Sequence, residues 1–549
     1  ALAAADLPDG VKRIEEYRYD LTQHLTNVGM DVSELTWTLG AGSPPGLALT
    51  DGVLSGTPSQ SGEFAFDVTV SYGSVSAIRG YSIKVELPET ELTLADGSLA
   101  SGKTRKDYTA SLSELLTLKN IPEEDVAWVS SPEVTLGQDE TAGLPPGISL
   151  TGSGGVSGKP TLAGRYRFKV SASWEDLNPA AEAASDEKTY LIVIEGVAYS
   201  FSHLAAGNSS TCGLMDGKAY CWGNNSIGQL GDGTYTQSSV PVEVADLGAA
   251  RALSGYANHY CAVTSDGSVW CWGQNGYGQL GDGVAGGSAN RPVKVVGLPQ
   301  SAAKVAVGND HSCAVLTDGS AWCWGYNNWG NLGDGTKISR ATAGPVYGLT
   351  SGVAGVTAGR NHSCAVLSDG SARCWGVRNQ GAMGDGTSSG QALQPVQPTG
   401  LSSGVVSIVS GNAFNCALMN GGAVKCWGYN SYGQLGIGST ERTTAPVTTI
   451  GSGVVALSSN DQNVCATTSL GEMLCWGDNT SRQTGQDGNA AILVPTPVPG
   501  VEQASTPASG GAFTCAVIGG KPKCWGSNSS GQLGNGSTVS TRFPTEVAG

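Results

Sequence analysis

Fourteen cysteines lie between positions 212 and 524 and fall into seven pairs: Cys212 with Cys221, Cys261 with Cys271, Cys313 with Cys323, Cys364 with Cys374, Cys416 with Cys426, Cys465 with Cys475 and Cys515 with Cys524. Disulfides, zinc ligation and free buried thiols are the competing readings of such residues. Zinc ligands come as close-set pairs or together with His, whereas here one repeat supplies only two cysteines. The residues between partners favour disulfides. In the five pairs with nine intervening residues, the midpoint is the centre of a three-residue loop ending in Gly267, Gly319, Gly370, Gly422 or Gly471. In the two pairs with eight, it falls within Asp216-Gly217 and Gly519-Gly520. Three-residue hairpins want Gly last and two-residue hairpins want Asp-Gly or Gly-Gly, so both lengths set the cysteines directly opposite each other. Opposed residues in an antiparallel pair are about 4.5 to 5.5 Å apart at Cα, close enough to bridge. Structural disulfides in this number require an oxidising compartment, which predicts an exported, extracellular or cell-surface protein.

Other chemistry is sparse. His259, His311 and His362 stand two residues before a first cysteine, a slot that holds Ser210, Phe414, Asn463 and Phe513 elsewhere. A slot that accepts Phe reads as a packing position rather than a metal ring. Asp232, Asp282, Asp334 and Asp385 sit in Asp-Gly loop turns, where Ile437 and Asn535 substitute, so they read as turn residues rather than calcium ligands or acid/base groups. No Ser/His/Asp set, paired glycosidase carboxylates, phosphate loop or haem motif is visible, and the reading is of a non-enzyme without metal or cofactor. Aromatic residues in the loops after Cys-Trp-Gly, namely Tyr277, Tyr326, Trp329, Tyr429 and Tyr432, are the candidate binding residues, because aromatics on rigid loops anchor protein interfaces and sugar-binding surfaces. Packing against the neighbouring repeat is the alternative.

The elements that must position these residues repeat. Cys-Trp-Gly recurs at 221, 271, 323, 374, 426, 475 and 524, a period of about 50 residues. Each unit reads as an alternating apolar strand, a tight turn, the Cys-Trp-Gly strand, a Gly-rich loop such as GQLGDGT and a Pro-Val strand such as PVEV at 241 to 244. With 81 glycines and only 14% charged residues, the chain reads as all-β. The stretch HSCAVLTDGSAWCWGYNNWGNLGDGT at 311 to 336 resembles the repeat of the regulator of chromosome condensation family, and the resemblance covers residues 198 to 549. It implies a seven-bladed β-propeller, with one disulfide per blade if the pairing holds. The last strand, PTEV at 544 to 547, is expected to pair with the first repeat and close the ring. The best-known members of that family are exchange factors for a small nuclear GTPase, a target that an exported protein would not meet.

Residues 1 to 197 hold a looser repeat. SPPGLALTDGVLSGTPSQSGEFAFDVTVS at 43 to 71 matches LPPGISLTGSGGVSGKPTLAGRYRFKVSAS at 144 to 173, with Trp37 and Trp128 upstream expected to fill two cores. These segments resemble the immunoglobulin-like domains of bacterial surface proteins, with Ser43 and Lys159 departing from the usual Leu and Thr. Three domains are expected: two immunoglobulin-like β-sandwiches at 1–89 and 90–197, and the propeller at 198–549. Some relatives bind calcium between domains, and Glu89, Glu91, Asp96 and Glu195 near the junctions are the acids that would supply ligands, although no close-set ligand loop is present. The first 197 residues carry 28 acids and 14 bases, the remainder 18 and 16. Such a chain gives no electrostatic reason to expect nucleic acid, and no apolar run reads as a membrane span. ALAAADLPDG lacks signal-peptide character and reads as sequence left after a signal peptide has been removed. The expected function is binding or adhesion at a surface, to a protein or glycan. A subunit of a filament or phage tail, assembled from copies of itself, and a secreted hydrolase inhibitor are the alternatives.

Overall fold

A computed structural model describes residues 2, 7, 11–12, 16–26, 31–86, 90–104, 106–119, 121–132, 140–175, 183–196 and 198–548. The chain forms two compact units, Ala1–Glu195 and Gly196–Gly549. Among the described residues the regular structure is β-strand, with a few short 3-10 turns.

The first unit contains two immunoglobulin-like sandwiches. In the first, a sheet of Val11–Lys12, Val75–Glu86, Gly62–Tyr72 and Thr36–Leu39 faces one of Tyr17–Asp20, Val53–Gly56 and Leu47–Thr50. In the second, Gly164–Trp174 and Ala184–Glu195 form the central hairpin, flanked by Ala127–Ser131 and Gly102–Lys103. Alternation along Gly62–Tyr72 and Gly164–Trp174 turns Phe66 and Val68, and Phe168 and Val170, into the two cores. The repeated Pro-Pro-Gly and Ser-Gly motifs lock together. A side chain at Gly56 would strike the Gly46 carbonyl, and one at Gly158 the Gly147 carbonyl. Ser59 N–H donates to Pro45 O (2.8 Å) and Thr161 N–H to Pro146 O (2.9 Å). Trp37 and Trp128 are half-buried at the core edges, each covering a glycine turn at Gly52 or Gly154 rather than filling the centre. Of the acids considered for calcium, Glu89 lies outside the described residues, Glu91 is exposed, Asp96 pairs with Lys188 and Glu195 with Lys103.

The second unit is seven four-stranded antiparallel sheets, each built from four consecutive strands. In blade three these are Ala302–Val307, His311–Leu316, Ala321–Gly325 and Arg340–Pro345, from the central axis outward. In every blade the outer strand sets three residues against the single Trp of Cys-Trp-Gly, as at Cys221↔Val242 and Gly223↔Ser238. Such a bulge on an edge strand tolerates proline, which explains Pro241, Pro292, Pro395, Pro446, Pro495 and Pro544.

The ring does not close by strand exchange. The last strand, Thr541–Glu546, pairs with Lys521–Gly526 of its own blade, and the first blade supplies its own inner strand, His203–Ala206. The expected pairing of the chain end with the first repeat is therefore wrong, because residues 203–206 already fill that place. Closure comes instead from side chains: Trp222 Nε1–H and Thr211 Oγ1–H both donate to Gln532 O (2.9 and 3.0 Å), and Tyr199, Phe201 and Phe513 share a core across the seam.

All fourteen cysteines are bonded in the expected pairs. Cys212 is joined to Cys221, Cys261 to Cys271, Cys313 to Cys323, Cys364 to Cys374, Cys416 to Cys426, Cys465 to Cys475 and Cys515 to Cys524, with Cα atoms 4.0 to 4.2 Å apart. This is closer than the spacing anticipated for unlinked cross-strand neighbours. The turns differ by length as the sequence requires: Asp216-Gly217 has both residues at positive φ (51° and 77°), whereas Gly267 alone (81°) closes the longer loop. Thiol titration in denaturant without reductant is expected to detect no free thiol, and a positive titration would contradict the pairing.

Each Gly-rich loop abuts the Trp of the next blade. A Cβ at Gly333 (φ +66°) would lie 2.7 Å from Trp375 Cδ1, whereas Gly386 (φ +87°) faces open space. Both alanine variants carry left-handed strain of about 1 kcal/mol. Gly333→Ala adds overpacking and is expected to cost about 2 kcal/mol more than Gly386→Ala, read as a larger drop in melting temperature.

Candidate binding face of the propeller

Two kinds of segment share one face of the propeller. Short turns between inner and second strands ring the axis, and the Gly-rich loops between third and outer strands surround them. Hairpin turns and blade connections occupy the opposite face.

Six of the seven Gly-rich loops are built on a buried Asn; blade four has Arg378 at that position. Asn327 Oδ1 accepts from Leu332 N–H (2.9 Å), while its Nδ2 donates to Asp334 Oδ1, Thr336 O and Ile338 O, each at 3.2 Å. Asp334 accepts from Thr336 N–H and pairs with Arg340 (3.1 Å). Asp232 and Asp282 accept from Asn225 and Asn275 in the same way, and Asp385 pairs with Arg378. These aspartates are loop-forming residues. Among the described residues no group of three or more His, Cys, Asp or Glu side chains is placed to hold a metal.

The candidate aromatics separate into two groups. Tyr277 of blade two and Tyr326 of blade three meet across the junction, ring centroids 4.7 Å apart, with Tyr277 46% and Trp329 37% exposed. Tyr429 and Tyr432 are half-buried against each other in blade five, 6.4 Å apart. Packing and exposure therefore coexist: Tyr326 supports Tyr277, which remains available. Sequence reading missed Tyr235 (54% exposed) and Ile338 (73%), which extend the apolar run over the loops of blades one to three. Their signal was the tail of the loop, ten and eleven residues after the buried Asn.

A polar cluster at the axis was also missed. Tyr256 O–H of blade two donates to Asp461 Oδ1 of blade six (2.6 Å), across the channel. Burial, then the Asp461 carboxylate, pushes the Tyr256 phenol well above its usual range, against the pull of Arg360. Burial also raises Asp310, whose carboxylate accepts from Gln274 and Gln279 (3.3 and 3.4 Å), while Asn309 and Arg360 oppose the shift. No linear motif joins residues from blades two, three, four and six.

The three histidines are more than packing. His259 Nε2 meets Ser312 Oγ (2.9 Å), His311 Nε2 meets Ser363 Oγ (2.7 Å), and His362 Nε2 meets Asn415 Oδ1 (2.8 Å), each in the next blade. The repeated His-Ser dipeptide was the available signal. Burial holds these imidazoles neutral, lowering the first two to about 3 and His362 to about 4 from an ordinary 6.5. Because the folded values are depressed, the unfolded chain takes up more protons as pH falls below 6.5. Stability is complete above that pH and declines toward pH 4, by up to about 1.4 kcal/mol per pH unit for each His. His311→Phe, the residue type of blades five and seven, is expected to shrink the loss of melting temperature between pH 7 and 4.5; an unchanged loss would contradict this.

Two family models described as Regulator of chromosome condensation (RCC1) repeat match the propeller, one at 216–262, 266–315, 318–366 and 524–549, the other at 251–279, 302–330, 353–381 and 405–434. The propeller is built from RCC1 repeats. A model described as Putative Ig domain matches 8–86. The RCC1 domain-containing protein RUG3, mitochondrial, of Arabidopsis thaliana is 29% identical over 45% of this chain and 58% of its own length. The ultraviolet-B receptor UVR8 of the same plant is 29% identical over 44% of each. The chain thus spans about half the length of these two relatives, and only 6% of human HERC2, an E3 ubiquitin-protein ligase, at 28% identity over 52% of this chain. Among solved structures, Prp20p of Saccharomyces cerevisiae superposes with a TM-score of 0.54 at 21% identity, covering 60% of this chain and 85% of that one. Human WBSCR16 gives 0.55 at 19%, covering 60% and 94%. These structural likenesses carry the RCC1 fold alone.

Proposed function

We propose that this is an exported binding protein that engages a protein or glycan on a surface through the loop face of blades one to three. The observation that carries the reading is the run of exposed apolar side chains, Tyr235, Tyr277, Trp329 and Ile338, on loops fixed by buried Asn side chains. The corresponding loops of blades four and six expose no large apolar side chain among the described residues. A rigid, partly apolar patch with aromatic anchors is what a binding hot spot requires. Prp20p has binding properties toward Gsp1p and histones, which supports a protein-binding use of the fold. The seven disulfides support the export half of the reading, since they would not persist in a reducing cytosol. The reading needs no catalytic group.

Attachment of the purified chain to glycan arrays and to immobilised cell-surface protein tests it. Tyr277→Ala with Trp329→Ala is expected to weaken attachment at least about tenfold, a modest loss for two aromatic anchors, with the melting temperature retained. Tyr429→Ala with Tyr432→Ala should leave attachment unchanged. Equal attachment by both double variants would sink the assignment to blades one to three.

A further inference from the structure

The opposite end of the central channel carries a second, chemically different surface. Inner strands of all seven blades line an axial cavity of about 200 Å³, whose walls include Ser254, Thr357, Ser410, Ser458 and Ser509. The Tyr256–Asp461 bond bars its loop-face end. Just beyond the cavity toward the hairpin turns, Arg251 and Lys304 are exposed on the inner strands of blades two and three, two residues ahead of the cavity-lining Leu253 and Ala306. Both cations are held by backbone carbonyls. Arg251 donates to Thr264 O and Ala302 O, and Lys304 Nζ donates to Ala354 O at 2.8 Å. Among the described residues neither has a carboxylate within ion-pair distance. The nearby turn carboxylates are committed elsewhere: Asp266 accepts from Thr264, Ser268 N–H and Ser268 Oγ, and Asp318 from Ser320 N–H and Oγ. On the other side of the channel, the inner strands of blades five and six expose Val406 and Val455.

We propose that this end of the channel is a docking site for an acidic peptide segment of a partner protein, one carrying an apolar side chain beside its carboxylates. Arg251 and Lys304 take the carboxylates, and Val406 and Val455 take the apolar side chain. Charge complementarity selects the occupant: residues 198–549 are close to neutral, with 18 acids and 16 bases, and here two cations stand preorganised and unneutralised. Repulsion from the rest of the chain is screened beyond about 8 to 10 Å, so the local pair governs the final approach. An extended peptide suits the site because the inner strands are edge strands, with no strand paired on their channel side. The surface lies opposite the aromatic loops and does not depend on their role.

The test uses the full chain and a fluorescein-labelled peptide, Glu-Glu-Leu-Glu-Val-Glu, followed by anisotropy, with the same peptide carrying Gln for each Glu as control. Saturable binding of the acidic peptide is expected, lost with the Gln peptide and weakened by added salt. Arg251→Gln with Lys304→Gln should weaken it about tenfold, Lys304→Arg should retain it, and Val406→Ser with Val455→Ser should weaken it at unchanged salt dependence. Tyr277→Ala with Trp329→Ala should leave it intact. Melting temperatures show which variants are folded, and Lys304→Gln alone serves if the double variant is not. Absence of saturable binding, equal binding of the Gln peptide, or indifference to loss of the folded variant's cations would each overturn the proposal.

Discussion

One hydrogen bond recurs at every blade junction. The indole N–H of Trp222, Trp272, Trp324, Trp375, Trp427, Trp476 and Trp525 donates to a backbone carbonyl in the Gly-rich loop of the preceding blade, at 2.8 to 3.1 Å. Each ring is fully buried, so its polar atom must find a partner. That requirement fixes how far neighbouring blades can separate or rotate. It also explains the glycine two residues after the acceptor, which must leave room for the ring, as Gly231 does for Trp272 and Gly534 for Trp222.

Once the junctions are fixed by tryptophan, other positions are released from that duty. The serine, threonine or asparagine on the second strand often reinforces the same carbonyl, as Ser312 does at Gln279 O and Thr514 at Gln483 O. In six blades a buried Asn then shapes the rest of the loop from within, and in blade four Arg378 pairs with Asp385 instead. Side chains pointing outward from that frame make no structural contribution that would fix their identity. Ile227, Tyr277, Trp329 and Ser481 can therefore occupy matching positions in one ring. The disulfides act on a smaller scale, each stapling the hairpin that carries its own tryptophan.

Features set by neighbours in the chain were legible. Cysteine register followed from turn length because a hairpin loop of two or three residues leaves one antiparallel alignment, seen at Cys212↔Cys221 and Cys261↔Cys271. Ring closure was misread because a Pro-Val strand is the same strand whichever edge it joins; only the presence of His203–Ala206 as an inner strand decides the matter, and four residues carry little pattern. Trp37 and Trp128 were recognised as packing residues, but their place over Gly52 and Gly154 depends on how two sheets meet. The cluster of Tyr256, Asp310, Arg360 and Asp461 was invisible for a stronger reason: its members are brought together by the ring itself.

Every staple lies within a blade and none crosses a junction, while the seam between blades seven and one is held by side chains like any other. Under a pulling force on the chain ends, the ring can part at a junction and shed outer strands while all seven hairpins remain knotted. Extension would then proceed in discrete steps of nearly equal length, each one the slack between successive staples. A molecule built this way yields to tension gradually, and on release it still holds the seven local folds from which its ring was first assembled.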